Sequence, residues 1–185
     1  AAITERAMRG EIDFPAALRE RVGLLKGLPV TELLRTFEER ITLMPGGKTL
    51  VHTMRTLGAK TLLISGGFTF FTERVARAIG FEGHEANRLD MQDGVLTGRV
   101  LEPILGKEAK RTSLQHAAQH FGVPMTRTMA VGDGANDLPM IQTAGLGVAY
   151  HAKPMVEHAA PACIRFNDLT ALLYIQGIGP ERWVG

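Results

Sequence analysis

The sequence predicts an α/β protein whose mostly parallel sheet is flanked by helices, with a small helical lobe at the amino-terminal end. Three observations support this fold class. Residues 1–40 show apolar side chains only at helical spacing, whereas short apolar strands alternate with helices from residue 45 onward. The third observation is a glycine-rich acidic turn, residues 132–137, between an apolar strand and a helix. Strands that alternate with helices favour a parallel sheet covered on both faces.

The amino-terminal lobe is expected to contain two helices. Asp13 is a suitable N-cap, Pro15 suits the first helical turn, and apolar side chains recur at helical spacing as far as Leu25. A second helix is predicted over residues 31–40. We therefore divide the chain into a helical subdomain, residues 1–40, and an α/β core, residues 41–185.

The core elements follow in chain order. Helices are predicted over residues 46–57, 70–79, 108–121, 155–159 and 169–175, and another begins near Pro139. Strands are predicted over residues 60–64, 128–131, 147–150 and 162–165. Asp93 and Gly94 form the turn of a hairpin between strands over residues 88–91 and 95–100.

Composition limits the classes of function. The 185 residues are 45% hydrophobic, which is enough for a packed core, and carry a net charge of only +2. That balance gives no reason to expect a nucleic-acid or membrane partner. Cys163 is the single cysteine, which fits core packing in a reducing cytoplasm. No apolar run approaches the roughly 20 residues that span a bilayer.

The acidic turn is the strongest candidate for a functional site. Asp133 and Asp137 follow the carboxyl end of a predicted strand, where open α/β folds bind ligands. Gly132 and Gly134 are expected to allow φ angles that bring both carboxylates toward one point, and Asn136 or Asp137 to cap the next helix. Oxygen ligands without nearby cysteine or histidine favour Mg²⁺. The alternative is an ordinary strand-to-helix turn.

A second turn, residues 65–67, is expected at the same sheet edge. Ser65 offers a hydroxyl, Gly66 and Gly67 let the backbone approach a ligand, and the following helix would present free N–H groups. These features predict a phosphate pocket, although a Ser-Gly-Gly sequence can also be a simple turn.

Four cations are candidates for binding an anionic ligand. Lys107, Lys110 and Arg111 lie near a predicted helix amino terminus, where the helix dipole disfavours them, and their spacing does not choose among them. Arg21 lies on the apolar stripe of the first helix, where it could bind a carboxylate through two hydrogen bonds. It could equally extend from the edge of that stripe into solvent.

These segments resemble the haloacid dehalogenase (HAD) superfamily, in the form found in phosphoserine phosphatases. Residues 65–68, Lys110 within Glu-Ala-Lys, and residues 132–137 are similar to three of its motifs, and residues 7–21 to its helical cap. The resemblance extends over nearly the whole chain, through residues 152–154 and 168–169.

The resemblance implies a HAD-type Rossmann-like fold with a partial helical cap. It also implies Mg²⁺-dependent hydrolysis of the small molecule L-phosphoserine to L-serine and phosphate through an aspartyl-phosphate intermediate, the last step of serine biosynthesis. By the family motifs, the catalytic residues are Ser65, Lys110 and Asn136. The same three would bind substrate together with Met8, Phe14, Arg21 and Gly66, and Asp133 and Asp137 would bind Mg²⁺.

One motif of the family is not found in these residues. The family places its nucleophile and general acid/base on the first core strand as Asp-x-Asp, and none of the six aspartates here has another two positions later. We expect this motif to precede Ala1, which would make the chain an inactive fragment without its first core strand. The alternatives are a non-catalytic module that binds phosphate or phosphoserine, and another HAD small-molecule phosphatase.

The first core strand would lie between the strands that end at Ile64 and Val131. We expect this gap to be closed in one of three ways: by direct pairing of those two strands, by a separate copy of the amino-terminal segment, or by strand exchange in a homodimer.

Overall fold

The computed structural model describes Ile3, Arg6 and residues 11–185, apart from the side chain of Lys107. The α-helices are α1 (Phe14–Gly23), α2 (Val30–Arg40), α3 (Gly47–Thr56), α4 (Thr69–Ile79), α5 (Lys107–His120), α6 (Leu138–Thr143), α7 (Pro154–Ala159) and α8 (Ala171–Ile175). The strands are β1 (Leu62–Phe68), β2 (Gly83–Gln92), β3 (Val95–Leu101), β4 (Met129–Gly132), β5 (Leu146–Tyr150) and β6 (Ala162–Ile164). Short 3₁₀ helices cover Met125–Arg127 and Pro180–Arg182.

The strands form two three-stranded sheets, in the orders β1-β2-β3 and β4-β5-β6. Strand β1 pairs in parallel with β2, and β4, β5 and β6 are parallel to one another. Only the β2–β3 ladder, among the described strands, is antiparallel. The expected α/β architecture with mostly parallel strands is therefore confirmed.

Strand β1 continues farther than the sequence predicts. It runs to Phe68, so the Ser-Gly-Gly segment belongs to the strand and α4 begins only at Thr69. The β1–β2 register is irregular there, because Ile64 pairs with Glu85 while Phe68 pairs with Asn87. The expectation of a turn at residues 65–67 was thus wrong, because this segment is the end of the strand, while the helix predicted to follow it begins within one residue of its predicted start.

The helical lobe packs on the β2–β3 hairpin, whose turn residues Asp93 and Gly94 have positive φ as the turn requires. The connection after α1 follows β3 closely, since Gly27 N donates to Leu96 O at 2.8 Å and Leu96 N donates to Leu28 O at 2.9 Å. The shared core contains the buried side chains Leu18, Val22, Leu33, Leu89 and Leu96. Burial of these side chains fixes α1 above the sheet edge at which β1 ends.

The second sheet has its own core on each face. Val148, Tyr150, Ile164, Ala171 and Leu172 are buried on one side. On the other side Ile141, Ala149 and Val156 are fully buried, and Cys163 packs against them. Burial raises the pKa of the Cys163 thiol, so the thiol stays protonated at neutral pH. In the part of the chain that is described, no helix is long and apolar enough to cross a membrane.

Strands β1 and β4 belong to different sheets, and no ladder joins them among the residues that the structure describes. Closure of the sheet by direct pairing of these two strands was therefore a wrong prediction. Both strands are nevertheless held near one another at their carboxyl ends, because Lys110 of α5 reaches the turn after β4 while the loop before α5 contacts β2.

Candidate active site

A cavity of about 460 Å³ lies where the carboxyl ends of β1 and β4 face helix α1. The turn after β4 contributes polar groups, β1 contributes its Ser-Gly-Gly segment, and α1 forms the apolar and cationic wall. The lining residues are Phe14, Leu18, Arg21, Val22, Leu25, Ser65, Gly66, Gly67, Phe68, Lys110, Asp133, Asn136 and Asp137. Two segments that are far apart in sequence thus share one cavity, as parallel strands in an open sheet predict.

Asp137 organises the acidic turn. Its side chain is buried, and its Oδ2 accepts hydrogen bonds from the amides of Asp133 at 3.1 Å and Gly134 at 3.0 Å. It occupies the N-cap position of α6 but makes no side-chain bond to that helix, contrary to the expected cap. The carboxylate closes the turn behind it instead.

This turn requires glycine at position 132 for space rather than for φ. Neither Gly132 nor Gly134 is among the residues with positive φ, so the conformational reason predicted from sequence was wrong. A Cβ at Gly132 would lie 2.4 Å from the Cβ of Asp137, and one at Gly134 would lie 2.5 Å from Asn136 Oδ1. A side chain at position 132 would therefore collide with Asp137, whereas one at position 134 would require only the end of the Asn136 side chain to move.

Lys110 is the cation that reaches the site. Its Nζ lies 2.5 Å from Asp137 Oδ1, and the two side chains are only 12% and 5% exposed. Arg111 points elsewhere and pairs with Glu108 at 2.8 Å on the exposed face of α5. The Lys107 side chain lies outside the described part of the structure. The buried pair explains why α5 carries a lysine in its first turns despite the helix dipole.

We expect Lys110→Ala to destabilise the full-length protein, meaning this chain with whatever its reading frame encodes before Ala1. Removing one partner leaves the Asp137 carboxylate buried without its counter-charge, at a cost of about 3 to 5 kcal/mol. Urea unfolding of Lys110→Ala measures this loss, and Lys48→Ala, on the exposed surface of α3, is the matched control. Because the pair is coupled, Lys110→Ala should cost less in an Asp137→Asn background. Equal costs in both backgrounds would contradict the pairing.

The Ser-Gly-Gly segment of β1 is held in a fixed shape by local bonds. The Gly67 amide donates to Ser65 Oγ at 3.0 Å, which leaves the hydroxyl proton free to donate into the cavity. The Gly66 carbonyl accepts from Asn87 Nδ2 at 2.9 Å. The segment thus presents a hydroxyl to the cavity while its own carbonyl is tied back to β2.

Helix α1 supplies the opposite wall of the cavity. The Arg21 Nε donates to Ala17 O at 3.2 Å, and no described carboxylate pairs with this guanidinium. Phe14 lies against the Ser-Gly-Gly segment, since a Cβ built on Gly66 would be 3.8 Å from its ring. Met8, the remaining residue expected in the pocket, lies outside the described residues. Phe14 and Arg21 therefore reach the cavity from the lobe, as the sequence pattern suggested.

Asp133 is the carboxylate best suited to a cation. It lines the cavity, and within the described residues no hydrogen bond or ion pair engages its carboxylate oxygens. Asp137 differs, since both of its oxygens already accept hydrogen bonds. No group of three histidine, cysteine, aspartate or glutamate side chains that could hold a metal occurs in the described part of the chain. A free hard oxygen ligand fits Mg²⁺, but this chain presents only part of a coordination shell.

Sequence reasoning missed Asn87, which supports the cavity from below. It is fully buried in β2 and contacts both the Ser-Gly-Gly segment and the loop that precedes α5. A signal was present, because asparagine is unfavourable inside a strand and Asn87 lies within a predicted α/β core, directly before the strand predicted over residues 88–91.

The chain belongs to the haloacid dehalogenase-like hydrolase family, which matches residues 2–142. Within that family it is similar to phosphoserine phosphatases. It is 44% identical to phosphoserine phosphatase SerB2 of Mycobacterium tuberculosis, over 96% of this chain and 43% of that protein. The chain spans about half the length of the first curated relatives it matches, 43% and 54% in two cases.

Solved structures support the same fold. The crystal structure of a probable phosphoserine phosphatase from Vibrio cholerae superposes with a TM-score of 0.91 at 41% identity, over 98% of this chain and 56% of that one. A substrate-bound phosphoserine phosphatase complex superposes with a TM-score of 0.84 at 37% identity, over 94% of this chain and 82% of that one. The elements described above are therefore arranged as in these enzymes.

Proposed function

We propose that this chain forms the cap and most of the catalytic core of a cytoplasmic phosphoserine phosphatase that requires Mg²⁺. The reaction is hydrolysis of L-phosphoserine to L-serine and phosphate through an aspartyl-phosphate intermediate, which completes serine biosynthesis. Similarity to phosphoserine phosphatases over most of the chain supports this proposal.

One observation carries the assignment of substrate. The same cavity contains a guanidinium from the lobe that pairs with no described carboxylate, and a group of phosphate-binding candidates from the sheet edge. Phosphoserine has a carboxylate at one end and a phosphate at the other, so Arg21 suits the first and Ser65 with Lys110 suits the second. An apolar wall that includes Phe14 and Leu18 separates the substrate from water.

Each polar residue of the cavity has a distinct task in this proposal. The Ser65 hydroxyl and Gly66 amide donate hydrogen bonds to phosphoryl oxygens, and Asn136 orients the phosphate or the nucleophile. Lys110 neutralises phosphate charge while Asp137 holds its ammonium in place. Asp133 binds the metal, and Asp137 supports that shell through the turn it closes. Bound Mg²⁺ would lower the repulsion between the anionic nucleophile and the phosphate.

None of the six aspartates forms the Asp-x-Asp motif that the family resemblance assigns to the nucleophile. We propose that a separate segment, or one exchanged with a second chain in a homodimer, places it between β1 and β4. Either arrangement would pair the strand edges that the two sheets turn toward each other.

Two other functions fit parts of the cavity. A non-catalytic module would bind phosphate or phosphoserine without turnover, and another HAD phosphatase would prefer a different ester. Isothermal titration with phosphoserine, beside phosphate release from a panel of phosphate esters, separates the three. Binding without phosphate release by the full-length protein would favour the module, and preferential release from an ester without a carboxylate would favour the other phosphatase.

Arg21→Ala is expected to lower phosphoserine hydrolysis by the full-length protein while sparing p-nitrophenyl phosphate, which has no carboxylate. The lost charge-assisted hydrogen bonds should be worth about 1.5 to 3 kcal/mol, or roughly tenfold to a hundredfold in kcat/KM. Steady-state kinetics on both substrates measure the difference.

Arg35→Ala is the matched control for Arg21→Ala. Arg35 lies on α2 of the same lobe, is 63% exposed and pairs only with Glu32 in the described structure. Arg35→Ala should leave kcat/KM unchanged for both substrates. Equal losses on phosphoserine and p-nitrophenyl phosphate in Arg21→Ala would assign Arg21 a structural role instead.

A further inference from the structure

The buried side chain of Asn87 makes hydrogen bonds through both its amide nitrogen and its amide oxygen. It is 0% exposed at the centre of β2. Its Nδ2 donates to Gly66 O at 2.9 Å, and its Oδ1 accepts from Leu105 N at 2.7 Å. These contacts connect residues 21 and 18 positions away in sequence, so the amide joins two separate segments.

The first of these contacts joins β2 to β1 where the register of the β1–β2 ladder is irregular. Between the pairs Ile64–Glu85 and Phe68–Asn87, β1 advances four residues while β2 advances two. The segment that contains Ser65 therefore departs from regular pairing with β2. The Asn87 side chain supplies a donor to Gly66 O at this point, which prevents the Ser-Gly-Gly segment from relaxing toward the sheet.

The second contact fixes the start of α5. Leu105 immediately precedes Gly106, which is the N-cap of this helix and has no side chain to cap it. One turn farther on, Lys110 reaches Asp137. The position of Leu105 therefore sets where the Lys110 ammonium stands relative to Ser65.

We propose that Asn87 is a positioning residue that holds the two phosphate-binding segments at a fixed separation. This inference rests on the proposed phosphatase function. Asn87 does not line the cavity, so it acts through Ser65 and Lys110 rather than on the substrate. A single rigid amide between them limits the relative motion of a hydroxyl and an ammonium that must meet the same phosphoryl group.

The test uses the full-length protein with Asn87→Leu, which fills similar volume without polar atoms, and Asn87→Ser, which can make only one of the two bonds. Asn87→Leu should lower kcat on phosphoserine about tenfold to a hundredfold, the range that misplacement of catalytic groups produces. KM should change less than kcat, because Arg21 still holds the substrate carboxylate. If Asn87→Leu does not fold, Asn87→Ser should show a smaller loss of kcat, again with less change in KM than in kcat.

Destabilisation alone also lowers activity, so the experiment includes a control variant and a double-mutant cycle. Thr53→Val removes a similar buried hydrogen bond far from the cavity, where Thr53 Oγ1 accepts from Val184 N at 2.8 Å. It should lower the melting temperature without changing kcat. In a Ser65→Ala background, either Asn87 variant should lower kcat by a factor that is at least severalfold smaller than in the wild-type background. The reason is that Asn87 acts partly through Ser65.

The outcomes separate this inference from the proposed function. A folded Asn87 variant with unchanged kcat, or one with the same fractional cost in both Ser65 backgrounds, would overturn the positioning role. A kcat loss in Thr53→Val that matches its thermal destabilisation would do the same. If the wild-type protein hydrolyses other phosphate esters but not phosphoserine, the proposed substrate fails while Asn87 is still tested on those esters.

Discussion

Asp133→Asn in the full-length protein is expected to reduce phosphoserine turnover on the order of a thousandfold. Asp133 faces the cavity with no described partner for its carboxylate, whereas Asp137 is committed to Lys110 and two amides. Replacing the free carboxylate by an amide removes one hard anionic ligand, and about 4 kcal/mol of lost charge stabilisation corresponds to this factor. The Mg²⁺ concentration that gives half-maximal rate should rise in parallel.

The measurement is the initial rate as a function of Mg²⁺ concentration. Asp93→Asn makes the same chemical change in the β2–β3 turn, where Asp93 has a φ of 52° that asparagine tolerates well. This control should match the wild type in rate and Mg²⁺ dependence. An unchanged Mg²⁺ requirement in Asp133→Asn would remove Asp133 from the metal site.

Much of the fold was predictable because it depends on local pattern. The alternation of apolar strands and helices after residue 45 gave the parallel sheet class, and Asp93-Gly94 gave the hairpin with its positive φ angles. The length of β1 was not predictable in this way. Glycine normally interrupts a strand, but β1 continues through residues 65–67, which have no regular partner on β2, and pairs with β2 again at Phe68.

In the acidic turn, residues 132–137, the residue types alone did not reveal the structural role of each residue. The composition of this turn predicted a site at the end of β4, and the structure places Asp133 and Asp137 in the wall of a cavity there. The predicted reasons for Gly132, Gly134 and Asp137 were different from the observed ones. Gly132 gives room for the Asp137 side chain, and Asp137 binds the amides of its own turn rather than capping α6. Both facts depend on how the turn closes in three dimensions.

Asn87 and the choice of Lys110 depend on contacts between distant segments. Asn87 meets Gly66 and Leu105, and Lys110 meets Asp137 across 27 positions of sequence. Spacing along α5 could not separate Lys110 from its neighbours, because only the tertiary arrangement shows which side chain is buried. The family resemblance selected Lys110, and the burial of its ion pair supplies the physical reason.

The largest expected effect is complete loss: purified residues 1–185 alone should show no measurable phosphoserine phosphatase activity. None of the six aspartates of this chain forms the Asp-x-Asp motif in which the family resemblance places the nucleophile. The strands that would flank that motif, β1 and β4, are not paired with each other in the described structure. Each of these strands lies at the end of its sheet, so its unpaired backbone donors and acceptors can pair with an added strand.

Activity should therefore return when a synthetic peptide that carries the upstream Asp-x-Asp segment of the full-length protein is added to residues 1–185. The rate should saturate with peptide concentration, and a peptide with asparagine for the first aspartate should bind without restoring turnover. A further mixture combines the active peptide with residues 1–185 that carry Asp133→Asn. This mixture should stay inactive if the peptide and the chain form one active site. Turnover by residues 1–185 alone that Asp133→Asn abolishes would show that the nucleophile lies within this chain.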